Sequence, residues 1–110
     1  MDTNSSIEAF SALAHDTRLA VFRLLLQCGN GGMAAGDIAV RLDVRQNTMS
    51  AHLSQLSRAG LIKADRQGRS IIYRANYDAL RGLLAFLMED CCGGRPEICQ
   101  PILDEIACAC

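Results

Sequence analysis

The sequence predicts a mainly α-helical domain carrying one small β-hairpin, and three observations predict it. Apolar residues recur at helical spacing through five successive stretches. The period changes to that of strands in a single place, on either side of Gln67-Gly68-Arg69. The chain has 110 residues, 50% of them hydrophobic, which suits one domain or one domain with a short tail.

Each element can be justified in order. Ile7, Phe10, Leu13 and Ala14 share one helical face, so Asn4 to Ala14 reads as the first helix. Asp16 suits the N-cap of a second, on which Leu19, Phe22, Leu25 and Leu26 form an apolar stripe until Gly29, Gly31 and Gly32 end it. A short third helix runs from Ala35 to Leu42 with Ile38, Ala39 and Leu42 inward. After the polar turn Asp43-Val44-Arg45, a fourth spans Gln46 to Ala59. Its inner face is Met49, Leu53 and Leu56, its outer face Asn47, Ser50, Ser54 and Arg58, and Gly60 caps it. Leu61–Arg66 and Ser70–Arg74 form the hairpin. Asn76 caps a fifth helix, where Leu80, Leu83, Leu84, Leu87 and Met88 recur on one side. Gly93-Gly94 breaks that helix, and Pro96 and Pro101 punctuate the tail. The expected division is a domain over residues 1–90 and a cysteine-rich tail over residues 91–110.

Composition excludes several classes. The frequency of Leu, Ile, Val and Phe and a net charge of −1 argue against disorder. No apolar run approaches the ~18 residues of a membrane span. The opening Met1-Asp2-Thr3-Asn4-Ser5-Ser6 lacks the basic and apolar blocks of a signal peptide, so the cytoplasm is the expected compartment. The small net charge hides an asymmetry: residues 41–74 hold seven basic groups against two acidic ones, between acidic flanks. A basic middle of this kind fits a polyanion-binding module, although segregation of solvated charges alone would give the same count.

A short helix, a tight polar turn and a longer helix beginning with small polar residues describe a helix-turn-helix, and the basic hairpin after it makes the unit a winged helix. A helix fits the major groove of double-stranded DNA when its leading face reaches base edges without an apolar clash. Gln46, Asn47, Thr48 and Ser50 meet that need, as amides and hydroxyls both donate and accept. Arg58, Arg66 and Arg69 suit phosphates or the adjacent minor groove. The alternative is that Gln46–Ser50 is an ordinary solvated face. His52 borders the Met49 and Leu53 stripe, which leaves both half-buried packing and a DNA contact open.

Six cysteines form the second chemical signal. Cys28 stands alone on an apolar helix and reads as a small core residue, while Cys91, Cys92, Cys99, Cys108 and Cys110 fall in the last twenty positions. A local cluster reads as a metal or redox site before a disulfide framework. Adjacent cysteines on an intact helix point ~100° apart, so Cys91 and Cys92 converge only where the helix breaks, and Gly93-Gly94 with Pro96 lets Cys99 return to them. Three thiolates suit a trigonal pyramidal, lone-pair-bearing ion such as As(III) or Sb(III), whereas zinc wants a fourth ligand. A methylated trivalent arsenical needs only two thiolates. No organic cofactor is expected. Cys108 and Cys110 fit a second soft-metal pair or reserve ligands, and a disordered spectator tail fits them at least as well.

Together these segments resemble the ArsR/SmtB family of bacterial metal-responsive repressors, and within it an arsenic-responsive member. The resemblance covers residues 5 to 100 and is carried by Ala9-Phe10-Ser11-Ala12-Leu13-Ala14-His15-Asp16-Thr17-Arg18-Leu19, Gly36-Asp37-Ile38-Ala39, Gln46 through Leu53, Arg58-Ala59-Gly60-Leu61-Ile62 and Arg66-Gln67-Gly68-Arg69. It implies a homodimer that holds a partly palindromic operator and releases it on binding metal, with Ile7, Phe10 and Leu13 of the first helix and Leu80, Leu84 and Leu87 of the fifth at the dimer interface. Two departures matter. Ala34, Ala35 and Gly36 stand where the family has its Cys-Val-Cys arsenic site, and the fifth helix lacks the His of the family's zinc site. Cys91, Cys92 and Cys99 look like the alternative C-terminal placement found in some arsenic-responsive members.

Two competing readings remain. The same cysteines would serve a repressor switched by oxidation or persulfide. A thiol-based enzyme is disfavoured, because no Cys-x-x-Cys lies on a βαβ pattern and no glycine-rich phosphate cradle occurs.

Overall fold

The computed structural model describes residues 1–89 and 95–107. Its elements are α1 (Thr3–Leu13), α2 (Asp16–Cys28), a 3₁₀ turn (Gly29–Gly31), β1 (Met33–Ala34), α3 (Ala35–Leu42), α4 (Gln46–Arg58), β2 (Ile62–Gln67), β3 (Ser70–Ala75), α5 (Tyr77–Met88) and α6 (Pro96–Ala107). This is the mainly α fold with a small sheet that the sequence predicts. The sheet has three strands in the order β1-β3-β2, both pairings antiparallel.

Local chemistry sets each boundary. Asp2 caps α1, its Oδ1 accepting from the Ser5 amide at 2.7 Å. The cap of α2 is His15 and not Asp16: His15 Nδ1 accepts from the Thr17 amide at 3.1 Å, and Asp16 takes the first helical position, where the helix dipole favours a carboxylate. Both α3 and α4 end in the same left-handed motif. At the first, Asp43 has φ 53°, its amide donates to the Val40 carbonyl, and the Val44 amide donates to that of Ala39 at 3.0 Å. At the second, Gly60 has φ 79°, and the Leu61 amide donates to the Leu56 carbonyl at 3.1 Å. The Asp43 cap makes the sharp turn between the two helices. Asn76 then clips the fold, accepting from the Ala79 amide as cap of α5 and donating through Nδ2 to the Gly60 carbonyl at 2.8 Å.

The core lies where α2, α3 and α4 meet the base of the sheet. Val21, Leu25, Ile38, Met49, Leu53, Leu56 and Leu61 are fully buried there. Burying such side chains contributes about 1.5–3 kcal/mol each, which fixes how α4 is presented.

Several expectations change. Leu19 is exposed, and Val21 and Leu24 are buried with Phe22 and Leu25. On α1 the buried residues are Ser6, Ala9 and Ala12, whose small side chains allow close helix packing, while Ile7 and Phe10 face outward. The hairpin is extended by β1, with Met33 opposite Tyr73 and Ala34 opposite Ile72. Residues 96–107 form a helix where the two prolines suggest punctuation. Pro96 takes the first helical position, which needs no amide hydrogen, whereas Pro101 lies inside the helix, where it forgoes one helical hydrogen bond and crowds the carbonyl four residues before it. The Gly93-Gly94 break lies outside the described residues, as do Cys91, Cys92, Cys108 and Cys110.

Candidate nucleic-acid interface

The outward side of α4 follows from its buried side. Met49, Leu53 and Leu56 occupy one stripe, so Asn47, Ala51, Ser54 and Arg58 project opposite, with Gln46 and Ser50 on one flank and Thr48 on the other. Gln46, Asn47, Thr48 and Ser50 are all exposed. Their polar atoms are partly committed. Asn47 Oδ1 accepts from the Thr48 amide at 2.9 Å, which turns its amide hydrogens outward. The Ser50 hydroxyl donates to the Gln46 carbonyl at 2.9 Å, which leaves its oxygen lone pairs free to accept.

The wing reaches the same place. Gln67 pairs with Ser70, leaving Gly68 and Arg69 as a two-residue loop. Gly68 has φ 63°, the left-handed conformation that the first position of a type II′ hairpin turn demands. Arg69 therefore stands at the tip, and Arg66 lies opposite Ile71 just below it, both exposed. A groove of ≈ 540 Å³ separates wing from helix, lined by Gln46, Ser50, Arg69, Ser70 and Tyr73 among others. It also holds Asp37, a carboxylate that tells against an anion seated deep in it. The structure thus brings Gln46 and Ser50 together with Arg69 in one groove.

Two predicted DNA-contacting residues lie elsewhere. Arg58 sits at the far end of α4, twelve positions from Gln46 and so about 18 Å along the axis. There it lines a second groove of ≈ 560 Å³ with Ile7, Glu8, Ser11, Arg18 and Gln55. His52 is half-buried against α2, its ring centroid 4.7 Å from that of His15, and its Nδ1 is buried without a hydrogen-bond partner. Burial pushes the His52 pKa down, and the neighbouring His15 and Arg18 push it the same way against a smaller opposing effect of Asp16. The position of Arg58 follows from the length of the predicted helix, and half-buried packing is one of the two readings open for His52. The contact with His15 was not legible, since the two histidines are far apart along the chain.

The residues assigned to a dimer interface fall on two helices that pack against each other, α1 and α5. Ile7, Phe10, Leu84 and Leu87 are 59%, 38%, 41% and 56% exposed, and Leu13 and Leu80 are half-buried. Large side chains left in water on adjoining helices form a surface that association would cover. Of the three expected thiolate ligands, only Cys99 belongs to the described residues. It lies half-buried on α6 and is disulfide-bonded, whereas Cys28 is a free thiol beside the core.

Residues 13–64 match the helix-turn-helix domain family. Over 93 residues the chain is 32% identical to YbzH, an uncharacterized HTH-type transcriptional regulator of Bacillus subtilis, covering 74% of this chain and 93% of the relative. It is 35% identical to the arsenical resistance operon repressor of Escherichia coli over 68 residues, 62% of this chain and 56% of that one. Among solved structures, an ArsR-like transcriptional regulator from Rhodococcus sp. RHA1 is 26% identical with a TM-score of 0.69, covering 97% of this chain and 96% of that one. The homodimeric winged helix-turn-helix DNA-binding domain of Mb0332 from Mycobacterium bovis, a possible ArsR-family regulator, is 30% identical with a TM-score of 0.63, covering 79% and 83%. These relatives are DNA-binding regulators and not enzymes, and among the described residues no helix is long and apolar enough to cross a membrane. The chain belongs to the helix-turn-helix transcriptional regulators of the ArsR type.

Proposed function

We propose that this regulator is a homodimeric repressor that holds operator DNA through α4 and the wing and releases it when C-terminal thiolates take up a soft trivalent metalloid. The observation that carries the DNA half is the pairing of an exposed polar helix start with a basic wing tip across one groove. Asn47, with Gln46, Thr48 and Ser50 around it, reads base edges, and Arg66 and Arg69 grip phosphate beside it. Two such units related by a two-fold axis address two half-sites. The exposed apolar residues of α1 and α5 supply the surface that relates them.

The inducer half rests on donor chemistry and on similarity to an arsenical resistance repressor. Among the described residues no three His, Cys, Asp or Glu side chains could hold a metal ion. The ligands of this reading are Cys91, Cys92 and Cys99, soft sulfur donors that match As(III), Sb(III) or a methylated arsenical. When bound, such an ion crosslinks the thiolates and lowers their protonation. Cys99 would then pull α6 toward residues 91–92 and against α5, changing the setting of the two recognition helices. A coupling of about 1–3 kcal/mol already weakens DNA binding ~5–150-fold. Affinity for the ion falls with pH, because protons compete for the sulfurs.

A second reading is favoured by the disulfide at Cys99. An oxidised sulfur is no longer a thiolate ligand, so the metalloid reading needs the reduced chain, and thiol oxidation or persulfide formation would be a signal in its own right. A mobility-shift titration of the protein's own promoter region separates the two. Arsenite releasing the reduced protein, with release lost in Cys91→Ser, Cys92→Ser and Cys99→Ser, upholds the first. Release by mild oxidant and not by arsenite upholds the second.

A further inference from the structure

The sequence counts Arg74 among the basic residues of the central segment, but its side chain is not directed to solvent as a free charge. Nε donates to the Asn30 carbonyl at 2.7 Å, and Nη1 donates to Asp65 Oδ2 at 3.1 Å. Those partners sit on separate elements, Asn30 on the 3₁₀ turn after α2 and Asp65 on β2, while Arg74 itself is on β3. Arg74 and Asp65 project from the same face of the hairpin, because Arg74 pairs with Lys63 and Asp65 with Ile72. A planar guanidinium presents its donors as a rigid fork, so one side chain fixes the angle between hairpin and turn.

Gly32 is shaped to the same junction. A Cβ there would meet the Tyr73 carbonyl oxygen and would lie 2.8 Å from Arg74 Cγ, and the backbone holds φ 65°. The absence of a side chain at position 32 is what lets the stem of Arg74 pass. A second tie reaches the same end of α2 from the start of α5, where the Tyr77 hydroxyl donates to the Leu26 carbonyl at 2.7 Å. Beyond the short β1 pairing at Ile72 and Tyr73, the wing is a two-stranded ribbon whose outer part, residues 63–71, is exposed throughout. Such a ribbon has little packing to hold its direction.

We infer that Arg74 is a positioning residue for DNA binding, bracing the wing against the end of α2 so that Arg66 and Arg69 meet the backbone of the duplex that α4 enters. The inference rests on the proposed DNA-binding role of the wing. Arg74 itself adds no phosphate ligand, since Asp65 offsets its charge.

The decisive variant is Arg74→Lys, which keeps the charge but replaces the rigid two-nitrogen fork with a single nitrogen on a flexible stem, set beside Arg74→Met and the double variant Arg66→Ala/Arg69→Ala. Binding to a fluorescein-labelled mixed-sequence DNA duplex is read by anisotropy over a range of salt, with amide hydrogen exchange of residues 64–71 measured in parallel. Arg74→Lys and Arg74→Met should each weaken binding by at least about fivefold, a coupling of the size seen between contacting residues. The slope of log affinity on log salt should drop by ~0.9 for each phosphate that the wing no longer neutralises, even with the charge at position 74 retained. Once the wing arginines are gone, either Arg74 change should cost less than about twofold, and wing amides should exchange faster in both variants. Wild-type affinity in Arg74→Lys overturns the inference. So does a loss undiminished in the Arg66→Ala/Arg69→Ala background, or unchanged wing exchange. Should the unaltered protein fail to bind any duplex, the DNA-binding reading falls, and the exchange data alone then decide the brace.

Discussion

The rings of His15 and His52 lie 4.7 Å apart between centroids with their planes at 45°, joining the N-cap of α2 to the flank of α4. The pairing has an electrical consequence. His52 is held neutral because burial, His15 and Arg18 all oppose a charge on it, with Asp16 the smaller counterweight. Its folded pKa lies below its unfolded value of 6.5. Below that value the unfolded chain binds more protons than the folded one, so this group's contribution is fully present above pH ~6.5. It is lost progressively as pH falls through the folded pKa. Thermal unfolding of the wild type should therefore show a lower Tm at pH 5.5 than at pH 7.5. His52→Gln should flatten that dependence, and an unchanged pH profile in the variant would refute the assignment.

Asn47 and Arg69 should fail in different ways when replaced. Asn47→Ala removes a base-edge group, so it should cost ~1–3 kcal/mol on a preferred sequence and little on an unrelated one. Arg69→Ala should weaken all duplexes alike and reduce the salt slope by about 0.9. Anisotropy titrations on a selected and a scrambled duplex distinguish the patterns.

Gly32 and Gly60 both have positive φ, but their surroundings differ. Nothing lies within 4 Å of a Cβ built on Gly60, whereas one on Gly32 meets the backbone of Tyr73. Gly60→Ala should cost about 1–2 kcal/mol from backbone conformation alone. Gly32 holds φ 65° with ψ −163°, a region essentially reserved to glycine, so Gly32→Ala should cost at least as much from the backbone and a further ~1–3 kcal/mol of overpacking. Thermal denaturation should rank Gly32→Ala clearly below Gly60→Ala.

Association is tested at Leu87. If α1 and α5 supply the dimer interface, Leu87→Glu buries a charge there, at a cost of at least ~2 kcal/mol. The dimer dissociation constant should rise about thirtyfold or more by sedimentation equilibrium, while helical circular dichroism is retained because Leu87 is exposed in the single chain.

Much of the site was legible because its residues lie within one continuous stretch. The polar start of α4, its apolar stripe and the Gly68 turn are local patterns, and each appears in the structure where the sequence placed it. What escaped depended on partners distant along the chain. The two-residue β1 is too short to leave a period and exists only because β3 offers it a ladder. His52 borders an apolar stripe in sequence, and only the packing of His15 beside it decides its surroundings. Pro101 concealed α6 because a proline inside a helix loses one hydrogen bond and crowds the preceding turn, a cost of about 3 kcal/mol that makes a helical run across it unexpected from the pattern alone.

By itself the sequence determined the order and kind of the principal elements, the face α4 buries and the turn that makes the wing, since periodicity and turn chemistry act over a few residues. Only the tertiary structure decided which face of α1 goes inward, that His52 packs beside His15, and that Arg74 is tied to Asn30 and Asp65. Those outcomes depend on which surfaces meet when helices and strands pack, and a side chain's charge or bulk does not say what it will be packed against.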